Sequence, residues 1–428
     1  MTLAKIRLAA WNILLLMTLL LAQQRSEFDL SDPVERVRAY TRMEEFDYAA
    51  WTIDALLEKG RQGAINAWRY LDESQQRKAV LAYLDLAGQL ENVEDEIARI
   101  YANPEIGDKE AAAAGLLAEQ RRLEADIRRQ GALAESVLQH QISVVLAEIG
   151  LSLGGQPFPP LLYHVTSLPN ALIVSPREVI RQDADVSLMP DLTLDEIDRL
   201  EREVENGLNV SALVVPVGGI GIYPTMVMSS TDLSWLVEVI AHEWIHNYLT
   251  LRPLGALYYS SPDLRTINET TASLAGKEIG EAVLKRFYPD FLPPPPAPLP
   301  QEELTPPALR RNGGAPQFNY RAEMRETRVT ADSLLAEGKI EEAEQYMEAR
   351  RQFFWEHGYR IRRLNQAYFA FYGAYADVPG GAAGSDPVGA AVRILRAQSL
   401  SLAEFIRRIA WVTSYEDLQR LTQSAGAD

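Results

Sequence analysis

Two histidines four residues apart, with a glutamate directly after the first, give this chain its clearest chemical signal: His242-Glu243-Trp244-Ile245-His246. On a helix, residues i and i+4 lie one above the other on the same face, so both imidazoles can reach a single ion. A hydrolytic zinc centre needs three protein ligands and one open position, with Zn–N distances of about 2.0–2.1 Å. Such an ion lowers the pKa of water from 15.7 to about 7. Glu243, at the edge of the ligand face, is placed to take a proton from that water and hand it to a leaving amine. The pattern therefore reads His242 and His246 as metal ligands and Glu243 as the catalytic base, with one Zn2+ ion as cofactor.

The third ligand must come from elsewhere. The chain has no cysteine and only five histidines, the others being His140, His164 and His357. Glu269, 23 residues after His246, is the strongest candidate, and Glu278 and Glu281 further along are the alternatives. His140 falls in a helical stretch and reads as a packing or surface residue.

The elements that must position these groups can be traced outward. Thr231-Asp232 can cap a helix that runs through the motif to about Leu251, with Leu236, Val237, Val239, Ile240, Trp244, Ile245 and Tyr248 making it apolar. Ser261-Pro262-Asp263 starts the next helix, which carries Glu269. Upstream, Leu161–Val165 and Ala171–Val174 read as short strands, followed by a polar helix over Leu192–Asn206. Ser211–Val217 and Ile220–Val227, bent at Gly218-Gly219, read as a hairpin confined by its prolines to a sheet edge or to irregular strands. These glycines lack the strand–helix context of a nucleotide-binding loop. Residues 31–149 are almost wholly helical in pattern, beginning at Ser31-Asp32-Pro33 and turning near Asn103-Pro104 and Gly107-Asp108. Helical periodicity returns from Asn319, interrupted by the loop Pro379–Ser385.

The expected architecture is α+β, mainly α, with a small mixed or antiparallel sheet beside the motif helix. The expected organisation is an apolar N-terminal segment (1–22), a helical hairpin or bundle (23–150), a catalytic domain (151–291), a proline-rich linker (292–312) and a C-terminal helical region (313–428).

The pairing of His242-Glu243-Trp244-Ile245-His246 with Asn268-Glu269-Thr270-Thr271-Ala272 resembles the gluzincin metallopeptidases, whose HExxH helix is followed by an NExxA or NExxS helix. The resemblance covers roughly Ser211 to Glu281. It implies a zincin-like catalytic domain, zinc held by His242, His246 and Glu269, and peptide or protein substrates. By the same likeness, the hairpin over Ser211–Val227 is the edge strand on which an extended substrate is laid. More loosely, Arg363–Tyr372 looks like a stretch of the bacterial predicted aminopeptidases of that clan. Ser273 stands where thermolysin-like members have a histidine-orienting aspartate, and no Gly-x-Met-Glu-Asn segment for reading a free N-terminus is present. An oxyanion-stabilising side chain would come from beyond the third ligand, where Tyr368, Tyr372 and His357 are available. A zincin fold kept as a tethered binding or scaffold module, without turnover, is the alternative implied function.

The remaining constraints concern place and partner. Lys5 and Arg7 precede an apolar run from Leu8 to Ala22, after which the sequence turns polar at Gln23. Basic flank, apolar centre and polar exit describe either a cleaved signal or a retained anchor over residues 6–22. Either directs the rest of the chain outside the cytoplasm. The net charge of −17, with no basic stripe, excludes nucleic acid as a partner.

Overall fold

The computed structural model describes residues 31–102, 105–292, 318–373 and 387–424. The apolar N-terminal segment, most of the proline-rich stretch and the loop over Pro379–Ser385 lie outside the described residues. With 67% helix and 9% strand, the chain is α+β and mainly α.

The first helices are α1 (Pro33–Thr41), capped by Asp32, α2 (Tyr48–Ile65), α3 (Glu73–Ala102) and α4 (Lys109–Glu148). The last two form the antiparallel pair anticipated from the turn near Gly107-Asp108, with Asp108 capping α4. Helix α2 is fastened to α4 by a buried ion pair, Lys59 Nζ to Glu135 Oε2 at 2.5 Å. Glu135 Oε1 also accepts the backbone N–H of Val165 at 2.8 Å and lies 3.0 Å from His164 Nδ1.

Eight short strands follow: β1 (Ser152–Leu153), β2 (Gln156–Pro157), β3 (Tyr163–Val165), β4 (Asn170–Pro176), β5 (Ala184–Leu188), β6 (Val210–Val215), β7 (Gly219–Ile220) and β8 (Thr225–Val227). Helix α5 (Leu194–Leu208) lies between β5 and β6 and starts with a capping box built on Thr193 and Glu196. Strand β4 is central in an antiparallel sheet ordered β5-β4-β6. Its alternate side chains serve two cores, as the period of two requires. Leu172 and Val174 pack with Val37 of α1 and Leu200 and Val204 of α5, whereas Ala171 and Ile173 meet Ala367 and Phe371.

The hairpin expected over Ser211–Val227 does not form. Strand β6 pairs with β4, while β7 and β8 pair with each other and β8 runs parallel to β3 in a separate sheet. Six residues of β6 find a long antiparallel partner in β4, and Pro216 then denies the chain a backbone donor. The outer edge of β6 is also closed to a guest strand: Glu201 accepts the N–H of Val214 at 2.7 Å, and Asn365 donates to the carbonyl of Ala212 at 3.0 Å.

Helix α6 (Leu233–Thr250) carries the histidines, a short α7 (Pro253–Ala256) turns the chain, and α8 (Pro262–Phe287) returns beside α6. Six further helices complete the described fold: α9 (Tyr320–Ala336), α10 (Ile340–Glu356), α11 (Gln366–Tyr372), α12 (Pro387–Gln398), α13 (Leu402–Ile409) and α14 (Tyr415–Ser424). One core joins Val80 of α3, Val137 and Ile142 of α4, Ile240 and Trp244 of α6, Ile279 of α8 and Phe405 of α13. Helices from both flanks thus pack around the motif helix.

Candidate metal centre

Asp232 caps α6, its Oδ1 accepting the N–H groups of Ser234 at 2.8 Å and Trp235 at 3.1 Å. Beyond the cap the helix is buried on most of its circumference. Trp235, Val239, His242, His246 and Thr250 lie along the less buried stripe, and their spacing of three and four keeps them on one face. Trp244 points the other way and donates to the carbonyl of Pro159 at 2.9 Å.

The ligand-bearing helices approach closely because glycine removes side chains from their contact. A Cβ on Gly276 of α8 would stand 2.9 Å from the Cβ of His242 and 3.0 Å from the carbonyl oxygen of Glu238. That approach brings Glu269, about two turns into α8, against the two histidines. The Nε2 atoms of His242 and His246 are 3.0 Å apart, and Glu269 Oε2 is 3.7 Å and 3.5 Å from them. Ligands about 2.1 Å from a tetrahedral ion are separated by about 3.4 Å, which these distances bracket. His242, His246 and Glu269 together can hold a metal ion.

The groups around this centre orient its ligands. Asn268 Oδ1 lies 2.8 Å from His246 Nδ1. The Tyr258 hydroxyl donates to Glu269 Oε1, and Arg265 Nε donates to that hydroxyl at 3.3 Å. Glu269 Oε2, by contrast, is buried without a hydrogen-bond partner. Burial alone would raise the Glu269 carboxyl. The two imidazoles outweigh it and hold the group well below the ordinary carboxylate range. Burial likewise pulls His246 down, but the facing Glu269 carboxylate dominates and carries it to about 9.

Glu243 is buried beside the same centre. Desolvation pushes its carboxyl up, the two histidines pull it back, and Glu269 adds to the upward push. Its neighbours are the glycines of the β7 segment: a Cβ at Gly219 would come 2.6 Å from Glu243 Oε1, and one at Gly221 would come 2.8 Å from the Cβ of His246. Asn247 fixes that segment to α6 by donating to the carbonyl of Ile222 at 3.1 Å and to Thr225 Oγ1 at 2.9 Å. The strand edge next to the ligands is β7, which lies within the Ser211–Val227 stretch expected to supply it.

The centre opens into a cleft of about 700 Å3 between α6, α8 and the β5-β4-β6 sheet. Asp185, Ser187, Tyr258, Tyr259 and Arg265 line it together with the β7 glycines.

The other residues singled out by sequence lie elsewhere. Glu278 pairs with Arg396 of α12 at 2.6 Å and is no part of the ligand group. His140 stacks on Trp68, and His357 stacks on Phe318. Tyr368 shares a hydroxyl contact with Tyr320 at 3.3 Å. Among the aromatic residues at the site, sequence reasoning missed Tyr258. Its only signal was position, in the short connection between the two ligand helices.

No family model, no curated protein and no solved structure matches this chain. The likeness to gluzincins therefore rests on the residues of the site themselves.

Proposed function

We propose that this chain is a gluzincin-like zinc peptidase, hydrolysing peptide bonds in exported or cell-envelope substrates with Glu243 as general base. One observation carries the reading: Glu269 Oε2 is buried, lacks a hydrogen-bond partner and faces two imidazole nitrogens. A buried acceptor left unpaired costs about 1–3 kcal/mol, and more when charged, a cost that a cation at this point removes. Two imidazoles and one carboxylate suit zinc, whereas Ca2+ and Mg2+ favour oxygen-only sites.

Zinc, when bound, supplies Lewis acidity toward a carbonyl oxygen and toward water. The chain supplies the rest. Asn268 holds the His246 ring, and Tyr258 holds Glu269. Glu243, whose burial raises its affinity for a proton, accepts the proton of the attacking water as the ionised carboxylate and delivers it to the leaving amine. The glycines of the β7 segment let its backbone approach Glu243 and His246 closely, which puts a strand edge beside the ligands for an extended substrate backbone. The sequence from Lys5 to Gln23 supports export, with the N-terminal run held in the membrane or removed.

The test is metal quantification on the full chain, with and without Glu243→Gln, each assayed on mixed peptides. The expected result is one zinc per chain in both proteins and hydrolysis only in the unaltered one. A chain that takes up no zinc, or a variant with unchanged turnover, overturns the proposal.

A further inference from the structure

Helix α2 turns large aliphatic side chains to solvent. Of its two cations, Lys59 is buried at 6% exposed and Arg61 is exposed, while Ile53 is 61% and Leu57 64% exposed. Ala49, Ile53, Leu56, Gly60 and Ala64 recur at three- and four-residue spacing and form one uncharged stripe, with Leu57 at its edge beside Asp54 and Arg61. Ile65, the last residue of the helix, and Tyr70 beyond it are also exposed, at 66% and 83%. The orientation is not free to relax. Lys59 is tied to Glu135 of α4 and to Gln62 at 2.8 Å, which turns the opposite face outward.

The place of this face in the chain says what meets it. The apolar run over residues 8–22 ends ten residues before α1 begins at Pro33. A chain extends by at most about 3.6 Å per residue, so α1 is held within roughly 36 Å of wherever that run ends. Helix α2 follows six residues after α1 and is about 27 Å long at 1.5 Å per residue. If the run is inserted in a bilayer, the lipid surface is within reach of α2. A helix with an uncharged aliphatic stripe lies in such an interface, its apolar face about 5–10 Å below the headgroups.

We propose that the Ile53–Leu57 face of α2 lies on the lipid surface when the N-terminal run is inserted, so that the protein sits on the membrane through two contacts. This rests on the run being a retained anchor.

The absence of cysteine makes the test clean. Leu57→Cys, and Glu342→Cys on α10 as the reference, are labelled with an environment-sensitive dye in the full chain. Both are reconstituted in phosphatidylcholine vesicles with or without nitroxide-bearing lipid. The expected result is flotation of both proteins, with blue-shifted and lipid-quenched emission at position 57 alone. Flotation with an unquenched, water-like signal at position 57 overturns the docking and leaves the anchor standing. Failure to float overturns both. Disulfide-linked dimers of unlabelled Leu57→Cys, with no lipid quenching, assign the face to a second copy instead.

Discussion

The side-chain oxygen of Asn268 lies 2.8 Å from Nδ1 of His246, on the residue immediately before the third ligand. With an amide oxygen facing it, Nδ1 keeps its proton when the ring is neutral, so that Nε2 is the nitrogen that deprotonates for the metal. A single dipeptide on α8 thus supplies both a candidate ligand, Glu269, and the group that orients another, His246. Partners of this kind are worth about 10–100-fold in metal affinity. Asn268→Ala should weaken zinc binding by about that factor, and Asn268→Asp should recover much of it. Competition against a chelator of known affinity measures both, and equal affinity in all three proteins would contradict the role.

Zinc uptake should release a proton. In the metal-free chain the Glu269 carboxylate holds His246 at about 9, so its imidazole is protonated at neutral pH. A ligand must be deprotonated, so apparent affinity should rise with pH and level off above about 9, by up to about tenfold per unit. Calorimetric titrations in buffers of different ionisation enthalpy should give heats that depend on the buffer. Identical heats in every buffer would refute the expectation.

The close approach of α6 and α8 should be sensitive to one methyl group. Gly276→Ala places a Cβ within 3.0 Å of His242 and the Glu238 carbonyl, where backbone leaves no room to yield. Overpacking of this kind costs about 1–3 kcal/mol, and it should also lower zinc affinity by parting the ligand helices. Gly63→Ala on exposed α2 meets nothing within 4 Å and should stabilise by about 0.5–1 kcal/mol. Denaturant unfolding of the two variants should show opposite signs.

Acid should loosen the joint between α2 and α4. Burial would raise the Glu135 carboxyl, but Lys59 and His164 outweigh it and lower it to about 2. A depressed carboxyl contributes stability above its unfolded value of about 4.5 and loses it as pH falls toward 2. The difference of about 2.5 units corresponds to about 3 kcal/mol. Unfolding free energies of the unaltered chain should fall by about that amount between about pH 5 and pH 2 through this group. In Glu135→Gln the same window should be flatter, and the variant should start about 3–5 kcal/mol lower because Lys59 is left buried and unpaired. Equal pH dependence in the two proteins would count against the pair.

Much of the local structure is legible without coordinates. Asp232, Ser261, Asp32 and Asp108 each accept backbone N–H groups at the helix starts where capping chemistry places them. The strands over 163–165 and 170–176 sit where the short apolar runs indicated. Pairing was not legible in the same way. Ser211–Val217 and Ile220–Val227 read as one hairpin because they adjoin in sequence, yet β6 gains six paired residues on β4, which adjacency does not reveal. Arg265, Tyr258 and Gly276 were equally silent, since their roles exist only once α8 is folded against α6.

By itself the sequence determined the donor types and their face: His242 and His246 at i and i+4 on a capped, apolar helix, and a glutamate available on the next one. Helical periodicity is a local property, so it survives without knowledge of the fold. Only the tertiary structure decided that Glu269, and not Glu278, closes the ligand group. It also decided that β7 borders the site, and that Lys59 faces inward while Leu57 faces out. Those choices depend on which surfaces meet, and long-range packing is set by shape and burial that no spacing along the chain encodes.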